Sequence, residues 1–342
     1  MNPDREPDLP LPPKAKVRRY LFFLIVLGLS LYILLPQFAP IEHAFRVAAT
    51  LKMPFVAISL ATQILSYLGS GYLLRAVVRT SDPPVSVVEG ALVTAGANSM
   101  GTLGGGVLGT AGMTYLWLRR RGVSSGVAGL GGWIPIFLNE ATLAIISLVG
   151  LLTLLLLHKF SSILVLALGL ALLILGSGLF ALIWCLTHRE KMVPLALTIA
   201  HFLGKVRRKA IDARAAEITA GRLLHAWDSL LAAGWRRPVT GALLNIGFDI
   251  LTLNFLFLSS GRGVSPMVLV AGYGVPQLVG KLTVVMGGAG VVETTMVGLY
   301  AALGVPTAIA FIVVLVYRLF SFWMPTLAGI ALVPYLEHGK CG

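Results

Sequence analysis

Several runs of this chain stay apolar for longer than the ~20 residues that cross a bilayer. A soluble domain cannot hide that much apolar surface. Of the 342 residues, 57% are apolar and only 12% are charged, and the mean hydropathy is +0.87. The class that fits is an all-α polytopic membrane protein. The formal charge of +13 suggests no nucleic-acid partner, because no nucleic-acid-binding fold accompanies it. Juxtamembrane charge that sets topology and meets anionic lipid accounts for it better.

In chain order, residues 1–13 are polar and proline-rich and are expected to form a disordered tail. A single transmembrane domain is expected over 14–340. Lys14, Lys16, Arg18 and Arg19 precede the run Tyr20–Leu35. A signal peptide has the same order, but no convincing small-residue cleavage site follows, so a first span is favoured. Further spans are expected at Pro54–Val78, Val127–Leu157, Ser161–Thr187, Val239–Leu258 and Ala308–Tyr335. Two other apolar runs are broken by glycines: Val85–Leu118 at Gly104, Gly105 and Gly106, and Pro266–Leu303 at Gly287, Gly288 and Gly290. Arginines flank both ends of Val85–Leu118, so it must dip into the membrane and return on the same side. The reading is six spans plus two opposed re-entrant, broken-helix hairpins.

The segment 188–237 is strongly basic, and Leu195, Ile199, Phe202, Leu203 and Val206 recur at helical spacing. That pattern predicts an amphipathic cytoplasmic surface helix, with a plain charged linker as the alternative. The orientation can be counted. Of the 27 Lys and Arg, four (Arg46, Lys52, Lys159, Arg262) fall in external loops, Lys281 and Arg318 are embedded, and the other 21 are cytoplasmic. Both termini are therefore expected in the cytoplasm, in the inner (plasma) membrane.

The halves also echo each other. Gly105-Gly106 and Gly287-Gly288 lie 182 residues apart, as do the heptads GVSSGVA from Gly122 and GVPTAIA from Gly304. With the hairpins entering from opposite sides, this predicts an inverted repeat. Close helix packing is the plainer use for such glycines, and GxxxG spacing at Gly101, Gly105 and Gly109 suits it.

The C-terminal third, GGAGVVETTMVGLYAALGVPTAIAF...VYRLFSFWMPTLAG, resembles the transmembrane-domain family of lysylphosphatidylglycerol synthase, also described as flippase-like integral membrane proteins. The order of apolar segments fits that family from about residue 15 to 336. The first half departs from it: Val107-Leu108-Gly109 replaces a more polar stretch, and Asn139-Glu140 lacks an arginine. A binding role is therefore expected mainly of the second hairpin. The resemblance implies translocation of a lipid, such as an aminoacylated phosphatidylglycerol or a polyprenyl- or hopanoid-type lipid. Bifunctional members carry a further aminoacyl-transfer domain, and the end at Gly342 leads us to expect none here.

A translocated headgroup needs partners in hydrocarbon, where each unpaired charge costs at least ~2.5–3.5 kcal/mol. Arg318 is the expected phosphate partner because its guanidinium binds phosphate oxygens bidentately, with Lys281 as a second charge. Glu293, Asp249 and Glu140 would pair with those bases, meet a cationic amine or carry a proton. Asn245, Asp249 and Thr252 share a helix face. The structural alternative is that Glu293–Arg318 or Asp249–Lys281 is merely a buried pair holding the hairpin. Scattered histidines and the lone Cys185 and Cys341 give no metal or disulfide pattern, and no nucleotide-binding loop is present. No catalytic residue, enzyme activity or cofactor is expected. The expected function is lipid transport, with a membrane lipid as partner. Two other roles stay open: presenting a carrier lipid to a separate lipid-modifying enzyme or glycosyltransferase, or moving a small solute or ion.

Overall fold

A computed structural model describes residues 50–79, 84–102, 106–156, 234–282 and 288–338, with a few isolated positions between 169 and 232. The expected tail 1–13, the span Tyr20–Leu35, nearly all of the span Ser161–Thr187 and of the basic segment, Gly105 and Gly287 lie outside the described residues. Every element among the described residues is helical. The helices are α1 (Met53–Val77), α2 (Val87–Met100), α3 (Gly106–Arg120), α4 (Ser125–Leu156), α5 (Arg236–Ser259), α6 (Pro266–Leu282), α7 (Val291–Ala302) and α8 (Thr307–Arg318). A π-turn, Leu319–Trp323, joins α8 directly to α9 (Met324–His338).

Among the described residues, four helical stretches are long and apolar enough to cross a membrane: Met53–Val77, Ser125–Leu154, Arg236–Ser259 and Thr307–Leu332. At 1.5 Å per residue they measure ~36–45 Å, against a hydrocarbon core of ~30 Å. The arms α2, α3, α6 and α7 are shorter, at 12 to 17 residues. Helices α2 and α7, whose caps are described at both ends, rise only ~18–21 Å and fall short of that thickness. Arg236 and Arg237, assigned from sequence to the basic loop, instead open α5. Pro238 sits in that first turn, where a missing N–H leaves no helical bond unmade, so the helix begins before it.

The short arms fold back on each other in pairs. Helix α2 starts with a reciprocal cap: Glu89 N–H donates to Ser86 Oγ, and Ser86 N–H donates to Glu89 Oε2. Glu89 also pairs with Arg121, just past the end of α3, so the hairpin's two ends lie together. In the second hairpin, Gly280 lies against Val292, Gly272 against Tyr300, and the Tyr300 hydroxyl donates to Leu269 O at 3.2 Å. The breaks use left-handed backbone, with Gly106 at φ 54°, Gly288 at 65° and Gly290 at 83°.

Helix boundaries recur at the 182-residue offset. The C-termini of α1 and α3 (Val77, Arg120) correspond to those of α5 and α7 (Ser259, Ala302). The start of α4, Ser125, likewise corresponds to Thr307, the start of α8. Gly122 and Gly304 hold φ of 84° and 92°. Equivalent helices α1 and α5 pack antiparallel: Lys52 N–H donates to Ser259 O, Thr62 meets Thr252, and Gly241 lies against Leu73.

A β-carbon at Gly304 would meet open space, so Gly304→Ala isolates the backbone cost. Substitution is expected to lower stability by about 1–2 kcal/mol, read as a lower melting midpoint in detergent. Gly298→Ala, on the open face of α7, should not lower it.

Candidate functional site

Residues flanking the breaks of both hairpins, Thr102 and Gly106 in the first and Lys281 and Gly288 in the second, line one cavity of about 630 Å³. Gln63, Ser66, Tyr67 and Ser70 of α1 line it, as do Asn139 and Glu140 of α4 and Asn245 and Asp249 of α5. Tyr317, Arg318, Ser321 and Phe322 close it from the α8–α9 side. Each of these groups falls near the middle of its long helix, so the cavity sits at mid-height in the bundle.

Two ion pairs border it, and they differ in access. Arg318 Nε donates to Glu293 Oε1 at 2.6 Å, and both side chains are only 4% exposed. Glu293 Oε2 also accepts the Gly290 N–H at 2.7 Å, capping α7 immediately after the glycine break. The guanidinium carbon of Arg318 lies 4.2 Å from the Phe322 ring centre, a cation–π distance. Arg318 thus ties the second hairpin to α8, while still reaching the cavity wall. Lys281 Nζ bonds Glu140 Oε1 at 2.5 Å, but the lysine side chain is 48% exposed. Lys281 is the more accessible of the two cations.

The Asp249–Lys281 pairing considered from sequence does not form. Asp249 Oδ2 instead accepts hydrogen bonds from Tyr273 and Tyr317, each at 2.8 Å, and Gln277 Nε2 donates to the Tyr317 hydroxyl. Asn245 Nδ2 donates to Asn139 Oδ1 at 3.2 Å, and Ser66 Oγ donates to Asn245 Oδ1 at 2.9 Å. Pro325 has no N–H for the carbonyl four residues back, and the Tyr67 hydroxyl reaches that carbonyl, Ser321 O, at 3.4 Å.

Six expected site residues therefore converge: Arg318, Lys281, Asp249, Glu140 and Asn245 line the cavity, and Glu293 stands directly behind Arg318. Gly106 and Gly288 line it as well. The first hairpin also lines the cavity. Asn98, Gly101, Thr102, Val107 and Thr110 all contribute to the wall, because the break turns the short polar residues at both arm ends inward. Sequence reasoning passed over Gln63, Tyr67, Tyr273 and Gln277. Their signal was polarity at helical spacing inside apolar runs, Gln63-Ser66-Ser70 and Tyr273-Gln277-Lys281.

The family described as the lysylphosphatidylglycerol synthase TM region matches residues 21–329. The chain belongs to this family. It is accordingly a membrane protein, and its several apolar helices fit a multi-pass arrangement. Shorter similarities connect it to archaeal proteins. A UPF0104 membrane protein of Pyrococcus horikoshii is 38% identical over 87 residues, 25% of this chain and 26% of that protein. A second, from Methanocaldococcus jannaschii, is 38% identical over 82 residues, 24% of each chain. A third, from Methanothermobacter thermautotrophicus, is 35% identical over 88 residues, 26% of each. These matches span about a quarter of the relatives' length.

Proposed function

We propose that this protein moves an anionic or aminoacylated phospholipid, or a related lipid, between membrane leaflets without covalent chemistry. The observation that carries the reading is the charged cavity at mid-height between two broken-helix hairpins. Irregular backbone at that depth persists only where protein buries it or where it lines a wet cavity. The headgroup would pass through the cavity while the acyl chains stay in lipid. Lys281 would exchange Glu140 for a headgroup phosphate, and Arg318 would add field from the wall.

The two halves form an inverted repeat in this reading. The recurring helix boundaries and the antiparallel packing of α1 on α5 support it. Opposite orientation requires an odd number of crossings between the halves, and the expected span Ser161–Thr187 supplies one. The hairpins then enter from opposite faces and meet at the cavity, a geometry suited to rocking one half against the other. The distribution of basic residues supports an inner-membrane location with both termini in the cytoplasm.

The test is exchange of headgroup-labelled phosphatidylglycerol, and of its lysyl form, across liposomes containing the purified chain. Wild-type protein is expected to accelerate exchange of at least one. Lys281→Gln should slow it at least ~10-fold, since losing one charge partner in the path costs more than ~1.4 kcal/mol. Glu140→Gln/Lys281→Gln, which leaves no unpaired carboxylate, should be equally slow yet as stable as wild type. Folded protein that moves neither lipid would sink the proposal and direct attention to a partner enzyme.

A further inference from the structure

Four buried side-chain atoms have no hydrogen-bond partner among the described residues: Gln63 Oε1, Glu140 Oε2, Asp249 Oδ1 and Ser321 Oγ. All four residues line the same cavity. Gln63 Oε1 can only accept hydrogen bonds or coordinate a cation, as can the two carboxyl oxygens when ionised, and the fourth, a hydroxyl, can also accept. Gln63 is 4% exposed and lies beside Asp249. A buried acceptor without a donor is costly, so this wall is built for something that brings positive charge or N–H groups.

Charge balance points the same way. Three carboxyl groups (Glu140, Asp249, Glu293) face two basic side chains (Lys281, Arg318), and the hydrogen-bond partners of Asp249, which include Tyr273 and Tyr317, are all neutral. The end of α2 adds to the deficit. A helix C-terminus carries about half a negative charge, and α2 ends at the cavity, with its C-cap Gly101 in the wall. Helix α6 has Lys281 in its last turn, whereas α2 has no basic residue there. At the 182-residue offset, Ser99 stands where the other half holds Lys281.

We propose that Asp249, Gln63 and Ser321 receive a compact monovalent cation, either the primary ammonium of a headgroup or a free alkali ion. The inference rests on the reading that this cavity is the binding site, but its test reads binding rather than transport. The purified full chain is melted in detergent by intrinsic fluorescence at constant ionic strength, replacing choline chloride with sodium chloride or methylammonium chloride. A saturable rise of about 2–4 °C with one of them is expected. A rise with sodium alone assigns a coupling ion, and a rise with methylammonium assigns the headgroup amine. Ser321→Ala removes one of the acceptors and should raise the half-saturating concentration several-fold. Asp249→Asn should abolish the rise. Equal melting in all three salts, or a rise unchanged in Asp249→Asn and Ser321→Ala, overturns the proposal. Lipid exchange with no cation effect would remove this inference alone. A cation effect without lipid exchange would remove the transport reading instead.

Discussion

Arg318→Ala is expected to lose about 3–5 kcal/mol of stability, enough to deplete the folded protein. Glu293 would remain 4% exposed with only the Gly290 N–H as a described partner. Breaking a buried pair is costly because the surviving charge keeps its desolvation penalty. Glu293→Ala should cost a comparable amount for the converse reason. The double variant Glu293→Gln/Arg318→Met removes both charges and should be milder than either single change. Monodisperse yield from detergent and the melting midpoint check this ordering. If both single variants matched wild type, the pair would not be the anchor between the second hairpin and α8. This also makes Arg318→Ala a poor probe of transport, since loss of activity would follow from loss of fold.

Gly71→Ala should be nearly as damaging, through contact rather than charge. Its β-carbon would sit 2.1 Å from Val87 O and 2.5 Å from Ala91 N, both backbone atoms of the first hairpin. Backbone cannot rotate away as a flexible side chain can, so α2 must leave α1. Gly90 approaches Gly71 reciprocally, its own β-carbon falling 2.6 Å from Gly71 O. Small residues allow such approach in membranes, where the hydrophobic effect gives helices no reason to associate. A cost of about 2–3 kcal/mol is expected from overpacking, seen as a lower melting midpoint. Gly112→Ala, where a β-carbon meets nothing, should be neutral or better. Equal midpoints for the two variants would contradict the close packing of α1 on α2.

Helix positions were legible from sequence because apolar run length is a one-dimensional signal. The expected Val239–Leu258 and the observed Arg236–Ser259 differ by a few residues, and Gly106, Gly288 and Gly290 hold left-handed backbone where breaks are expected. Pairing was less legible. Nothing local tells Asp249 to take hydroxyls from Tyr273 and Tyr317, 24 and 68 residues on, while Lys281 takes Glu140 from 141 residues back. Such partners are set by how helices rotate on packing, and glycines such as Gly69 and Gly241 set that between α1 and α5. Less was expected of the first hairpin because Val107 and Leu108 are apolar, yet Asn98, Thr102 and Thr110 reach the cavity from either side of them.

The central claim is that the lipid headgroup passes through this cavity, and blocking the cavity tests it most directly. In a chain with Cys185 and Cys341 replaced, a single cysteine is placed at Thr110, on the cavity wall. Another is placed at Gly298, on the exposed face of α7. Lipid exchange in liposomes is then measured before and after a bulky thiol reagent. The account predicts that modification at residue 110 stops exchange and that modification at residue 298 leaves it unchanged. Exchange that persists with residue 110 fully modified would show that the headgroup takes another path.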